Sequence, residues 1–111
     1  MAVRELLSLE IEAGNYGRTV RVSGEIDIAT APRLQACLAS LTDQTLVAVD
    51  LTEVPFIESS GIAVLIAEHK RRVASGRQLV ITGSSPLTLR VFELTGVDQV
   101  LNLDGDAPAA T

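Results

Sequence analysis

The sequence predicts an α/β fold, a small mixed and mostly parallel sheet of about five strands with three or four helices. Two short segments near the N-terminus alternate apolar and polar residues with a period of two, as half-buried strands do. Farther along, continuous aliphatic runs are each followed by apolar residues at helical spacing. The 111 residues, of which 47% are hydrophobic and 21% are charged, suit a single domain over 1–111 with one core.

The first two strands are expected to form an antiparallel hairpin at one edge of the sheet. Leu7, Leu9 and Ile11 alternate with polar residues, which predicts a strand with one buried face. Residues 19–24 alternate in the same way. The intervening segment 14–17 contains two glycines and an asparagine, which suit a turn between paired strands.

A helix and a central strand are expected next. Thr30 is predicted to cap the helix, and Pro32 to lie in its first turn, where a missing N–H removes no hydrogen bond. Residues 46–49 form a continuous aliphatic run that ends at Asp50, which predicts a central strand covered by helices on both faces. The apolar face of the first helix comprises Leu34, Cys37, Leu38 and Leu41.

A second helix is expected to begin at the serine pair that follows Glu58. The cationic segment 70–72 suits the negative C-terminal end of the helix dipole, and Gly76 suits the end of the helix. The predicted apolar face comprises Ile62, Leu65, Ile66, His69 and Val73.

The last part of the sequence predicts a strand, a helix and a strand. Residues 78–82 suit a short buried strand, Ser85 and Pro86 suit the start of a helix, and Gly96 suits its end. Residues 100–103 are predicted to form the last strand, followed by a loose tail over 104–111. The apolar face of the third helix comprises Leu87, Val91 and Leu94.

Composition and charge argue against several classes of function. The net charge of −5, without a long basic run, argues against a nucleic-acid ligand. No apolar run approaches the roughly 20 residues that cross a bilayer, and the N-terminus lacks the pattern of a signal peptide. We therefore expect a cytoplasmic protein without a membrane partner. The single cysteine, Cys37, lacks the spacing of a metal site, so we expect a core thiol, no metal and no cofactor.

The candidate catalytic residues lack the partners that their chemistry requires. Neither serine of the pair lies in a GxSxG elbow. His69 lies ten residues after Ser59 on the same predicted helix, about 15 Å away at 1.5 Å per residue. Asp50 ends a strand as a nucleotide-binding or phosphoacceptor aspartate does, but no phosphate-binding loop accompanies it, so we interpret it as structural. Glu25 and Asp27 are interpreted as a solvated loop or a contact surface.

The serine pair in the stretch FIESSG, residues 56–61, allows two interpretations from the residues alone. A hydroxyl at a helix N-terminus faces unpaired backbone N–H groups and the positive end of the helix dipole. In the first interpretation, one serine caps the helix for about 1 kcal/mol, and Glu58 adds a negative charge near the same end. In the second, the same N–H groups accept a phosphate on a serine without unfolding the helix. Both interpretations stay open at this point.

Three segments together resemble the STAS domains of the anti-sigma factor antagonist type. The segment Val49–Ile66, VDLTEVPFIESSGIAVLI, is similar to the signature of these domains. The segment Gly24–Leu34, GEIDIATAPRL, resembles their G-E-x-D-x-x-T motif, and Ser84–Leu103 is similar to their third helix and last strand. The three segments occur in the order of the family and cover nearly the whole chain.

The resemblance implies a regulatory binding protein and not an enzyme. In such proteins the unphosphorylated antagonist binds an anti-sigma factor that is also a serine kinase. Phosphorylation of the first serine of a D-S-S-G motif, Ser59 here, ends the binding, and a serine phosphatase restores it. This chain has Glu58 where the family usually has aspartate, which is expected to weaken phosphorylation or to change the kinase. The implied partner-binding residues are Glu25, Asp27, Thr30, Glu58, Ser60 and Gly61.

Two other functions are compatible with the sequence. One is a STAS subunit of another assembly, such as a lipid-transport complex or a signalling scaffold, whose serine loop docks a partner without being phosphorylated. The other is a small nucleotide-binding or hydrolytic protein that uses Asp50 and the loops around it. Labelling of Ser59 by a kinase separates the antagonist from the first alternative, and calorimetry with ATP and GTP tests the second.

Overall fold

The structure, a computed structural model, describes residues 7–14 and 17–103. The predicted tail 104–111 and part of the predicted turn, Asn15 and Tyr16, lie outside the described residues. No helix within the described ranges is long and apolar enough to cross a bilayer. The elements are β1 Leu7–Ala13, β2 Gly17–Gly24, α1 Ala31–Ala39, β3 Leu46–Glu53, α2 Ser59–Ala74, β4 Gln78–Ser84, α3 Pro86–Thr95 and a 3-10 turn at Val97–Gln99.

The strands form one mixed sheet in the order β1-β2-β3-β4. β1 pairs antiparallel with β2, from Leu7 opposite Gly24 to Ala13 opposite Arg18. β2 pairs parallel with β3, and β3 pairs parallel with β4. The helices α1 and α2 make the crossover connections that parallel neighbours require. The predicted mixed sheet with an antiparallel edge is therefore confirmed.

The main core lies between one face of the sheet and the three helices. Alternate residues of the strands and the buried apolar residues of the helices belong to one cluster. The other face of the sheet buries only the small group Leu46, Ala48 and Val80 within the described residues. It also carries an exposed ion pair between Glu12 and Arg21, at 3.3 Å. The run 46–49 is buried on both faces, as predicted. The prediction that helices cover both faces is wrong, because the helices of the described residues all pack in the main core and none contributes to the small group on the second face.

The fifth predicted strand, residues 100–103, is reduced to a single parallel bridge between Leu103 and Ile81. The first two amides of this segment both donate to the carbonyl of Val97, at 2.9 Å, so they continue the 3-10 turn and do not extend. Extended pairing begins where the Ile81 amide donates to the carbonyl of Asn102, at 2.8 Å. The described sheet therefore has four strands instead of about five, accompanied by three α-helices.

The helix α3 buries a different face from the one predicted. Thr88 and Phe92 are both 0% exposed. The Thr88 hydroxyl donates to the carbonyl of Val54 at 3.1 Å, so its burial leaves no hydrogen bond unmet. Ser85 caps this helix and Gly96 ends it, as predicted. Of the predicted face, Leu87 and Leu94 lie away from the core, at 52% and 70% exposure, whereas Val91 is half-buried and packs against it.

The C-terminal half of α2 buries an ion pair that hydrophobic periodicity does not predict. Arg72 is 2% exposed and Glu68 is 7% exposed, and their side chains meet at 3.2 Å. The position predicted to be buried, Val73, is 58% exposed instead. The Arg72 guanidinium ties the end of α2 to the segment that precedes β3 and to the first residue of β4. It donates to three backbone carbonyls, those of Leu41, Gln44 and Gln78.

Substitution Arg72→Met is expected to lower the free energy of unfolding by about 3–5 kcal/mol. The change leaves three carbonyls without their donor and removes the buried one of the two arginines that pair with Glu68, while keeping much of the side-chain volume. Urea unfolding followed by circular dichroism measures the loss. Arg71→Met is the matched control, because Arg71 also pairs with Glu68 but is 46% exposed. It should lower the free energy of unfolding by no more than about 1 kcal/mol, and equal losses would contradict the structure.

Candidate functional site

One backbone contact joins the segment before α1 to the segment before α2. β2 and β3 are parallel neighbours, so the segments that leave their carboxyl ends emerge at the same edge of the sheet. Ile26 and Ile57 form an isolated parallel bridge there, and the Glu58 amide donates to the Ile26 carbonyl at 2.9 Å. We call this contact the junction, residues 25–30 the first loop and residues 56–61 the second loop. The structure therefore brings the two predicted partner-binding segments together.

Gly61 lets the first turn of α2 approach the junction closely. A Cβ at this position would lie 2.3 Å from Ile26 Cγ2 and 2.9 Å from Ile57 Cγ1. Both isoleucines are buried, at 0% and 1% exposure, so neither side chain has free space to move into. Glycine after the serine pair is thus a packing requirement of the junction.

Hydrogen bonds within the first loop fix its shape. Asp27 Oδ1 accepts from the amides of Ala29 and Thr30, at 2.9 and 3.0 Å. Thr30 Oγ1 accepts from the Asp27 amide at 2.9 Å and donates to the Glu25 carbonyl at 2.8 Å. Thr30 is the N-cap residue of α1, as predicted, but its hydroxyl makes no capping bond to the helix because it makes these loop contacts instead.

Ser59 is the first residue of α2 and is exposed. The amides of Gly61 and Ile62 both donate to the Glu58 carbonyl, at 3.0 and 3.1 Å. The amides of Ser59 and Ser60 precede these bonds and have no acceptor within the helix. The 16 residues of α2 align their peptide dipoles with the positive end at this terminus. The Ser59 side chain therefore lies on the surface where a negative group is favoured.

The capping interpretation of the serine pair is wrong. The N-cap residue is Glu58, with φ −87° and ψ 169°, and its side chain makes no capping hydrogen bond. Ser60 Oγ is buried and has no hydrogen-bond partner in the part of the chain that the structure describes. Of the two serines, Ser59 is the one whose side chain is open to solvent.

The predicted partner-binding residues surround the junction with different exposures. Glu25 and Glu58 are exposed, and Asp27 and Ser60 are half-buried. Thr30, at 7% exposure, and Gly61 are buried, so they shape the loops from within. We expect direct contact with a partner from the more exposed members of the set, and this remains a prediction.

The other residues considered from the sequence lie outside this site. Asp50 Oδ1 accepts from the Thr52 amide at 2.9 Å and also from the Thr52 hydroxyl, which agrees with a structural role in β3. His69 is half-buried on α2, and its Nδ1 is buried without a partner among the described residues. No group of His, Cys, Asp and Glu residues within 7–14 and 17–103 is arranged to hold a metal ion.

Two apolar side chains in the loops are exposed, which the sequence patterns did not predict. Ile28 in the first loop is 80% exposed, and Phe56 in the second loop is 45% exposed. The sequence feature that could have indicated an exposed apolar residue is the isoleucine between Asp27 and Thr30, because polar residues are the norm in such a turn.

Comparison with known proteins establishes the family. The model of the STAS domain matches residues 9–109, which include the junction and both loops. The chain belongs to the STAS domain family. Over 106 residues this STAS domain is 32% identical to the anti-sigma-B factor antagonist of Listeria monocytogenes, covering 90% of this chain and 93% of the relative. Its family is therefore that of the anti-sigma factor antagonists, which are regulatory binding proteins and not enzymes.

Solved structures share the fold of this STAS domain. An anti-sigma factor antagonist from Mycobacterium paratuberculosis superposes with a TM-score of 0.82 and 27% identity, covering 94% of this chain and 90% of that one. The phosphorylated form of the Bacillus cell fate determinant SpoIIAA gives a TM-score of 0.68 with 17% identity, covering 86% and 90%. The second likeness concerns the fold alone. The single α/β STAS domain predicted from the sequence is confirmed.

Substitution Gly61→Ala is expected to destabilise this STAS domain by about 1–3 kcal/mol, because the added methyl overlaps both isoleucines of the junction. At an unhindered helical position the same change would stabilise by about 0.5–1 kcal/mol, so the sign of the effect is decisive. Urea unfolding gives the measurement. The double variant with Ile26→Ala should lose less than the sum of the two single variants, because the smaller side chain makes room. A stabilising Gly61→Ala would contradict the close approach.

Cys37 is expected to react slowly with iodoacetamide near neutral pH. It is half-buried on α1, and burial raises the pKa of its thiol, so less of the reactive thiolate is present. The same shift means that the native thiol keeps its proton to a higher pH than the unfolded one. The free energy of unfolding should therefore fall as the pH rises past the pKa of the unfolded thiol. The urea-unfolded chain is the control for reactivity, and equal rates would contradict this account.

Proposed function

We propose that this protein binds an anti-sigma factor with serine kinase activity and is released when that kinase phosphorylates Ser59. The observation that carries the proposal is the place of Ser59, exposed on the first turn of α2 and next to the first loop. The identity with the Listeria antagonist supports an anti-sigma factor as the partner. A partner that regulates a sigma factor agrees with the expected cytoplasmic location.

A phosphate on Ser59 fits the local structure without refolding. The side chain is at the surface, so the added group displaces water and not packed atoms. The free amides at the start of α2 and the helix dipole favour its negative charge. A protein of the same fold, SpoIIAA, has been solved in a phosphorylated form, which supports the compatibility of the fold with the modification.

The phosphate would weaken binding by changing the charge of the contact surface. Phosphorylation adds a charge of about −1.5 to −2. Glu58 precedes Ser59 directly and Glu25 lies beside the junction, and both are exposed, so the new charge adds to an acidic surface. A partner that binds this surface would meet repulsion and a larger desolvation penalty. About 3 kcal/mol of lost binding free energy lowers the affinity more than a hundredfold.

The exposure of Ser59 and Glu58 bears on how the phosphate is removed and on how the kinase recognises the site. A serine phosphatase can reach a phosphate on Ser59 without opening the fold. Glu58, which stands where the family usually has aspartate, is exposed and makes no capping bond, so the replacement leaves the helix start intact. Its proposed effect is confined to recognition by the kinase.

Incubation with the purified anti-sigma factor kinases of the same genome, ATP and Mg²⁺ tests the proposal. Peptide mapping by mass spectrometry should find phosphate on Ser59, and Ser59→Ala should abolish it. Ser60→Ala is the matched control, since the Ser60 hydroxyl is buried, and it should still be phosphorylated. Calorimetry should show that the phosphorylated protein binds the kinase more than a hundredfold more weakly.

Two results would oppose the proposal. Phosphate on Ser60 or on a residue outside the second loop would show that the exposed hydroxyl is not the acceptor. Tight binding of a partner without any phosphorylation of Ser59 would favour the alternative, a STAS subunit that docks into another assembly.

A further inference from the structure

Two exposed apolar side chains, Ile28 and Phe56, lie in the two loops of the candidate site. Ile28 lies in the first loop, two residues after Ile26, and Phe56 lies in the second loop, one residue before Ile57, so the junction brings the two loops that carry them to the same edge of the sheet. Ile28 is 80% exposed and Phe56 is 45% exposed. Single exposed apolar residues are common on folded proteins, but here each loop of one candidate site carries one, which makes them candidates for contact with a partner.

The first loop holds Ile28 in a fixed position. Asp27 and Thr30, on either side of it, exchange hydrogen bonds at 2.9 and 3.0 Å, and the Thr30 hydroxyl also donates to the Glu25 carbonyl at 2.8 Å. None of these bonds needs an isoleucine side chain, and the side chain is not covered by the core. A partner that buried it would lose little conformational entropy, since the loop is already ordered. Ile28 therefore has the geometry of a preorganised binding anchor.

The surroundings of these two side chains are acidic. Glu25 precedes the junction in the first loop, Glu58 follows Phe56 by two residues, and Glu53 ends β3; all three are exposed. Apolar anchors within a charged rim are typical of protein interfaces. The complementary surface has an apolar pocket bordered by lysine or arginine.

We propose that Ile28 and Phe56 are the apolar anchors with which this protein docks into the anti-sigma factor kinase, in a pocket with a basic rim. The inference rests on the proposed function, because it assigns the anchors for the same partner. It also explains the control exerted by Ser59. Ser59 lies in the second loop with Phe56, so a phosphate there adds charge and bound water to the loop that docks.

The test compares the affinities of three variants for the kinase that binds the wild-type protein. Ile28→Ser and Phe56→Ser should each weaken binding by about tenfold or more. Val73→Ser is the matched control, because Val73 is 58% exposed but lies at the far end of α2, about 20 Å along the helix from Ser59. It should bind like the wild type. Circular dichroism and urea unfolding verify that all three variants are folded.

The outcomes separate this inference from the proposed function. If the wild type is phosphorylated on Ser59 and released, but Ile28→Ser and Phe56→Ser bind as tightly as Val73→Ser, the anchors are wrong and the switch stands. If no kinase of the genome binds the wild type, both proposals fall. If the two loop variants bind weakly and are also phosphorylated more slowly at low kinase concentration, docking through Ile28 and Phe56 is supported.

Discussion

The close contact between Gly61 and the two isoleucines Ile26 and Ile57 is the constraint on which the candidate site depends. The parallel strands β2 and β3 bring two segments to the same edge of the sheet, but this alone leaves their relative position loose. The bridge between the isoleucines and the bond from the Glu58 amide fix that position. Since only glycine permits the approach of α2, the exposed Ser59 is held at a defined place beside the first loop.

This arrangement makes the proposed switch a change of charge and not of fold. The buried side of each loop carries the junction, whereas the exposed side carries Ser59, Glu25 and Glu58. The far end of α2 is fixed independently by the buried pair of Arg72 and Glu68. A modification at the N-terminus of α2 therefore acts on a helix that is anchored at both ends. The partner then senses the added charge on a surface whose shape stays the same.

The sequence was sufficient for the order of the elements and for the place of the serine pair, because these depend on local patterns. Alternation predicted the hairpin, and helical spacing predicted α2. The buried faces were harder to predict, because tertiary hydrogen bonds decide them. Thr88 is buried because it meets the Val54 carbonyl, and Arg72 is buried because three carbonyls and Glu68 surround its guanidinium. The spacing of apolar residues cannot predict the burial of such polar side chains.

For the candidate site, too, local motifs were predictable from the sequence and contacts between distant segments were not. The motifs identified both loops, yet the packing role of Gly61 follows from its close approach to Ile26, more than thirty residues away in the chain. The 80% exposure of Ile28 is likewise a property of the folded loop that the apolar pattern does not predict. The prediction of a last strand over residues 100–103 was wrong for a related reason. The apolar residues of this segment fit a strand pattern, but its first two amides donate to the Val97 carbonyl in the 3-10 turn Val97–Gln99.

Amide hydrogen exchange at Glu58 tests the central claim most directly, because this amide donates the hydrogen bond of the junction. The measurement compares the protein carrying phosphoserine at position 59, installed during synthesis, with the unmodified protein. The account predicts the same protection of the Glu58 amide in both forms, because the phosphate acts at the surface. A loss of protection on phosphorylation would show that the junction opens, and would contradict a switch based on charge alone.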